Sequence, residues 1–315
     1  MIDSEKPLHQ KILVCGSINM DLVVRTPKLP APGETLTAHG LEYVSGGKGA
    51  NQAVAVARLG GKVGMLGAVG SDAFGATLKA NLQQEGIDLE WVANKAGPSG
   101  VAIVAVDDQG ENSIMVVPGA NGGLSVDDVQ QAESAIAQAG LVMLQLEIPI
   151  DTVLHTVRLC RKHQIPVILN TAPAPENFPD ELFDVDLICP NQSETAALLK
   201  TSPPSNMDEA FEAARELLAK GAKQAVITLG SLGAVAAIKM PGGKPLIKTV
   251  DAHRVTAVDT VAAGDAFLGA LAYQIAQGTS LMESCLFASA AAAHAVTVCG
   301  AQPSLPNLAQ VRARL

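Results

Sequence analysis

Asp259-Thr260-Val261-Ala262-Ala263-Gly264-Asp265 leads into the helical stretch Ala266–Ala276 and joins a carboxylate to small residues at a helix start. Small side chains at 262–264 let main-chain N–H groups approach a ligand, and a helix directs its positive end toward its N-terminus. Such a turn can neutralise charge developing on a transferred anionic group. Asp265, on the same turn, can take a proton from an attacking hydroxyl. The same residues also read as an ordinary helix start with close packing.

A second glycine-rich helix entry is Gly46-Gly47-Lys48-Gly49-Ala50-Asn51, in which Lys48 and Asn51 share the first turn. It serves equally as a plain glycine turn with a solvated lysine. Gly16-Ser17-Ile18-Asn19-Met20-Asp21 follows the first apolar run, and Asn19 and Asp21, two apart, share one side of an extended chain. Glu147 ends the run from Leu141, where a carboxylate suits a hydroxyl-rich ligand. Asn191 and Glu194 stand at one-turn spacing after another run and read either as groups near Mg²⁺ or phosphate or as a helix cap. Thr228-Leu229-Gly230-Ser231 carries the same ambiguity. His294, on an Ala-rich helix without metal-type spacing, reads as a core or partner-facing histidine. Neither G-x-G-x-x-G nor a Gly-Lys followed by Ser or Thr occurs, so any nucleotide must be held another way.

Apolar runs alternate with helical stretches along most of the chain. Strands are expected at 11–15, 63–69, 141–146, 167–170, 187–189 and 225–229, and helices at 50–59, 73–85, 126–137, 152–163 and 208–220. Continuous apolar strands alternating with helices predict a three-layer α/β/α fold with a mostly parallel central sheet covered on both faces. Ligands in such folds sit beyond the carboxyl ends of the strands. Residues 21–45 and 99–118 break the rhythm with four extended pieces, expected to form a small β lid too small to be a domain of its own. The whole chain, 1–315, is expected to be one domain.

The 315 residues carry 22 basic and 31 acidic side chains, a formal charge of −9, which argues against a general nucleic-acid binder. No apolar run approaches a membrane span, and residues 1–10 show no secretory leader. Five cysteines without a CxxC pair suit a reducing compartment, so a cytoplasmic protein is expected.

Taken in order, GSINMD (16–21), GGKGANQAVA (46–55), PGAN (118–121), LQLE (144–147), LNTAPAP (169–175), PNQSE (190–194), ITLGSLG (227–233), AVDTVAAGDAFLGAL (257–271) and GAQPS (300–304) resemble the PfkB carbohydrate kinases from about residue 11 to 304. LQLE and GAQPS narrow the resemblance to the branch that phosphorylates ribose. It implies ATP-dependent phosphorylation of D-ribose at its 5-hydroxyl, with Asp265 as base and the amides of Ala262, Ala263 and Gly264 as anion hole. It places sugar on Asn19, Asp21, Gly47, Lys48, Asn51, Glu147 and Asp265. It places ATP on Asn191, Thr228, Gly230, Ser231, Gly264 and Ser289, with Glu194 near Mg²⁺. An activating K⁺ falls to Asp259, Val261, Ala295, Val298, Gly300 and Ser304, partly through backbone oxygens. The resemblance also implies a homodimer paired through the lid. Ser289 stands where relatives often carry His or Asn, Ala266 replaces a common Thr, and Val298-Cys299 replaces a more basic pair. Rival readings are a kinase for 2-deoxyribose, fructose or a nucleoside, and a non-catalytic sugar sensor. Three Tyr and Trp residues in all argue against a stacked nucleobase acceptor.

Overall fold

A computed structural model describes residues 11–315; the leader reading of residues 1–10 and their share of the single domain lie outside it. Thirteen strands follow in chain order: β1 (Ile12–Cys15), β2 (Asn19–Thr26), β3 (Gly40–Gly46), β4 (Val63–Gly70), β5 (Asp88–Lys95), β6 (Gly100–Asp107), β7 (Asn112–Val117), β8 (Leu141–Leu144), β9 (Val167–Asn170), β10 (Leu187–Cys189), β11 (Gln224–Thr228), β12 (Ala234–Ile238) and β13 (Leu246–Val250). Nine of them form one sheet in the order β13-β12-β11-β10-β9-β8-β1-β4-β5. Every neighbouring pair from β11 to β5 is parallel, and only the β11–β12 and β12–β13 pairs are antiparallel.

Alternation along a strand sends successive side chains to opposite faces. Ile12 and Val14 enter one apolar cluster, with the helices Lys48–Arg58, Ala263–Ala276 and Leu281–Ala295. Leu13 and Cys15 enter another, with Ile150–Lys162 and Met207–Lys220. Two cores on one sheet are the three layers expected. The four irregular pieces pair into a second sheet, β3-β2-β6-β7, in which β2 and β6 run parallel and the outer pairs antiparallel.

Three strands of the large sheet escape an apolar-run criterion. Edge strands β5 and β13 each bury only one residue, and β12 is mostly alanine, which carries no strand signature. The expected helix 126–137 is two, Val126–Gln131 and Glu133–Gln138, with Ala132 closing one and opening the other. Among the described residues no helix is long and apolar enough to cross a membrane.

The chain runs outward from β1 through β4 to the β5 edge, then returns to β8 on the other side of β1. The crevice at that switch point, beyond the carboxyl ends of β1 and β8, is where such sheets accept ligands. Helices Lys48–Arg58 and Ala263–Ala276 meet on this side at Gly269, where a Cβ would collide with the Ala55 methyl and stand 3.0 Å from the Gln52 carbonyl oxygen. Helix propensity favours Ala over Gly by about 1 kcal/mol, but overpacking two rigid helices costs about 1–3 kcal/mol. Gly269→Ala is therefore expected to be net destabilising, seen as a lower urea midpoint at unchanged slope.

Candidate active site

Because β1, β8, β9, β10 and β11 are parallel, the residues following them converge on one rim. Ser17 follows β1 and Glu147 follows β8; the Ser17 hydroxyl donates to Glu147 Oε2 at 2.5 Å across the switch point. The same carboxylate oxygen accepts the Lys48 main-chain N–H at 3.2 Å, and Ser17 Oγ accepts that of Gly49 at 3.3 Å. Gly47 has φ 90°, and a Cβ there would press to 2.7 Å from the Asn19 nitrogen. Glycine is required where this turn lies against the first strand's exit.

Asn19 begins β2 beside Gly46 and Gly100, its partners on the flanking strands. Asn121 is fully buried and fixes it: Oδ1 of Asn121 accepts the Ile18 N–H at 2.9 Å, so its Nδ2 faces Asn19 Oδ1 at 2.7 Å. Asn19 then has its own amide N–H groups left for a ligand. Asp21 lies two residues on, and a Cβ at Gly46 would overlap its carboxylate. Burial, followed by repulsion from Glu147 and Asp265, pushes the Asp21 carboxyl up to about 7, against an attraction to Lys48.

Asp265, 7% exposed, lies on the first turn of the helix Ala263–Ala276. Its Oδ2 accepts Asn51 Nδ2 at 2.9 Å and its Oδ1 accepts Gln52 Nε2 at 3.0 Å. Burial raises its proton affinity above the usual carboxylate range; Lys48, Asn51 and Gln52 oppose that, and Glu147 adds to it. Lys48 shows the reverse balance. Burial disfavours its charge, but Asp265, Glu147, Glu194 and Asp21 outweigh it and hold the ammonium more firmly protonated than usual.

Ala262 caps this helix in the left-handed region, φ 60°. The Ala263 N–H reaches the Thr260 carbonyl at 3.3 Å, whereas those of Ala262 and Gly264 have no acceptor among the described residues. Nothing stands within 4 Å of where a Gly264 side chain would begin. An anion would therefore meet two free amides and one already weakly engaged.

The other expected nucleotide residues line the same rim further along the sheet. Asn191 caps the helix Gln192–Leu199 in a reciprocal box with Glu194, and Glu194 Oε2 also accepts the Thr171 hydroxyl at 2.9 Å. Their cap reading is realised; it leaves Glu194 Oε1, bonded to Asn191 Nδ2, one free lone-pair direction. That is room for a water of a Mg²⁺ shell, whose ion keeps several waters. Thr228 bridges to Asn191, and Gly230 and Ser231 form the open turn after β11. Ser289 lies on the helix Leu281–Ala295 with its hydroxyl donating to the Asp251 carbonyl at 3.1 Å.

The Asp259 carboxylate ties two loops together, accepting Val261 N–H at 2.9 Å and Gly300 N–H at 2.8 Å. Ala295 ends the helix Leu281–Ala295, Val298 lies on the second loop, and the buried Ser304 ends the short helix after it. Among the described residues no cluster of three His, Cys, Asp or Glu could hold a metal. One carboxylate with carbonyl and hydroxyl oxygens fits a monovalent cation, which such dipoles can hold. A cavity of about 670 Å³ beside the helix Met207–Lys220 shares none of the site residues.

Gln52, Gln145, Asn170, Ser17 and Asn121 are the polar residues that motif reading did not single out. A buried carboxylate, a helix start with open amides, and carboxylate and amide groups suited to hydroxyls on one rim fit a small-molecule phosphotransferase. A model of the pfkB family of carbohydrate kinases matches residues 9–308. The Schizosaccharomyces pombe ribokinase is 40% identical over 309 residues, 95% of this chain and 96% of its own. The Salmonella typhi deoxyribokinase is 38% identical over 301 residues, covering 95% and 96%. The Arabidopsis thaliana ribokinase complexed with ribose and ATP superposes with a TM-score of 0.85 at 33% identity, over 98% of this chain and 99% of that one. The chain belongs to the PfkB carbohydrate kinase family.

The raised Asp21 carboxyl has a thermodynamic consequence. A group whose folded-state proton affinity is raised contributes stability below its ordinary value, near 3.8, and loses it as pH rises through about 7. Asp21→Asn removes that loss. The ligand-free variant should melt higher than the parent at pH 8, by roughly 1–2 kcal/mol after allowance for screening, and the gap should close by pH 4. Melting curves across that range decide it; a gap independent of pH rejects the assignment.

Proposed function

We infer that this chain is an ATP-dependent sugar kinase that phosphorylates D-ribose on its 5-hydroxyl. The observation that carries the reading is Asp265, a buried carboxylate held by two amides directly beneath a helix start with open N–H groups. The ribokinase names of its relatives and the ribose and ATP in the Arabidopsis structure supply the substrates. Sugar hydroxyls would lie among Asn19, Asp21, Gly47, Lys48, Asn51 and Glu147. Asp265 takes the proton of the terminal hydroxyl as that oxygen attacks the γ-phosphorus in line. The amides of Ala262, Ala263 and Gly264, with Lys48, meet the charge on the transferring group. Asn191, Thr228, Gly230, Ser231 and Ser289 line the ATP side. Mg²⁺, near Glu194, neutralises charge on the phosphates when bound; K⁺ at the Asp259 loops would brace the anion hole through Val261.

A second acceptor, 2-deoxyribose, is favoured by the deoxyribokinase likeness. Coupled ADP-release assays on both sugars separate them by kcat/KM. Five free cysteines, four of them buried, support a reducing, cytoplasmic location.

The small sheet also supports a homodimer. β7 is exposed along its whole length, with Ile114, Met115, Val116 and Val117 each about half open, and Leu41 and Tyr43 on β3 likewise. An apolar edge strand left bare invites pairing. A second copy covering this sheet would complete it as a symmetric interface. Met115→Glu is expected to shift sedimentation from dimer to monomer, while a parent chain already monomeric at micromolar concentration excludes the interface.

For the chemistry, Asp265→Asn should lower turnover roughly 10²–10⁴-fold while ribose still binds in calorimetry. Unimpaired turnover would refute the base.

A further inference from the structure

Gln52 is fully buried on the same helical turn as Asn51, and the chemistry above gives it no role. Its Nε2 donates to Asp265 Oδ1 at 3.0 Å and to Asn170 Oδ1 at 3.3 Å, and its Oε1 accepts Gln145 Nε2 at 2.6 Å. A buried amide can be turned either way, so its orientation must be fixed by a neighbour that cannot turn. That neighbour is the Cys189 carbonyl of β10, which only accepts. Asn170 directs Nδ2 to it at 3.3 Å and therefore presents Oδ1 to Gln52. Gln52 must then direct its N–H groups to Asn170 and Asp265 together. The relay starts on the main chain of the sheet and ends as a donor on the carboxylate.

Asn51 supplies the other donor, so each Asp265 oxygen holds one amide N–H. With both oxygens anchored, the rotation of the carboxylate is set, and the lone pairs left over have fixed directions. We propose that Gln52 is a positioning residue for Asp265, fixing through the Cys189–Asn170 relay the direction in which the carboxylate meets the acceptor hydroxyl. The inference rests on the reading of Asp265 as base.

Gln52 also favours the ionised carboxylate. The charged groups around Asp265 are Lys48 from the same helix as Gln52, Glu147 beyond β8, Asp21 on β2 and Glu194 beyond β10. Only Lys48 stabilises the anion; the three carboxylates oppose it. The amide donors oppose burial and like charge, which still leave the carboxyl above its ordinary range.

Gln52→Met keeps length and removes the donor. A hydrogen bond to a charged group corresponds to a factor of about 10–100, so kcat should fall by that factor. The ribose KM should stay within about threefold, and the acid limb of the kcat profile should move up by about one pH unit. Asn170→Ala breaks the relay one step upstream without touching Asp265 and should shift both in the same direction by less. Should Gln52→Met fail to fold by circular dichroism, Asn170→Ala is judged by the same two criteria. An unchanged kcat, or a fall with the acid limb unmoved, overturns the positioning role. Asp265→Asn run alongside separates the two ideas: full activity there removes the base itself, whereas an inactive Asp265→Asn with an unmoved limb in Gln52→Met removes this inference alone.

Discussion

Burying an ionisable carboxylate is the constraint around which this site is built. Asp265 is desolvated, and an isolated charge in that position would neutralise itself by keeping a proton. It is instead given two amide donors and a lysine, yet the same lysine is surrounded by three further carboxylates. Four acids around one base leave an excess of acceptors. A ligand rich in hydroxyl donors relieves that excess, and a bare anion aggravates it. On the proposed reading, the phosphate of a co-substrate would be directed away from the acids, toward the free amides at 262 and 264. The charge pattern thus divides the crevice into an acid-rich end suited to hydroxyls and an amide end suited to an anion, with Lys48 and Asp265 at the boundary.

The sheet explains why so few residues suffice. Parallel strands end on one rim, so Ser17, Glu147, Asn170 and Asn191 are neighbours without any being near in sequence. The two helices carrying Asn51, Gln52 and Asp265 are held at contact distance by Gly269, so amide and carboxylate meet at hydrogen-bond range without long, entropically costly side chains.

The main layers and the glycine-rich helix entries of the candidate site were legible in the sequence because both are local patterns. A continuous apolar strand needs no partner to be recognised, and neither does Gly46-Gly47-Lys48 at the head of a helix. What escaped depends on partners. β12 is five residues of mostly alanine that become a strand only by pairing with β11 and β13. Gln52 and Gln145 look like polar interruptions of apolar runs, and only a folded chain shows them bonded to each other. Asn191 and Glu194 were ambiguous between cap and ligand, and the structure shows why: a capping box on this rim places its carboxylate toward the crevice, so one geometry serves the cap and leaves a lone pair for a ligand's shell.

Asn19 and Asp21 give the small sheet its significance. Both lie on β2, inside that sheet, whereas Glu147 follows a strand of the large sheet and Asn51 and Asp265 lie on helices packed against it. The proposed hydroxyl-binding groups therefore come from two bodies joined at Ile18–Asn19, where Asn121 bonds to both the main chain and the side chain. On the proposed reading, a movement of the small sheet would carry Asn19 and Asp21 relative to Glu147 and Asp265, so that grasping a ligand and covering it would be one displacement. The raised proton affinity of Asp21 comes first from its burial and then from repulsion by Glu147 and Asp265 across the joint; on the proposed reading, a hydroxyl-bearing ligand set between these carboxylates would give each a donor and so link the two sheets.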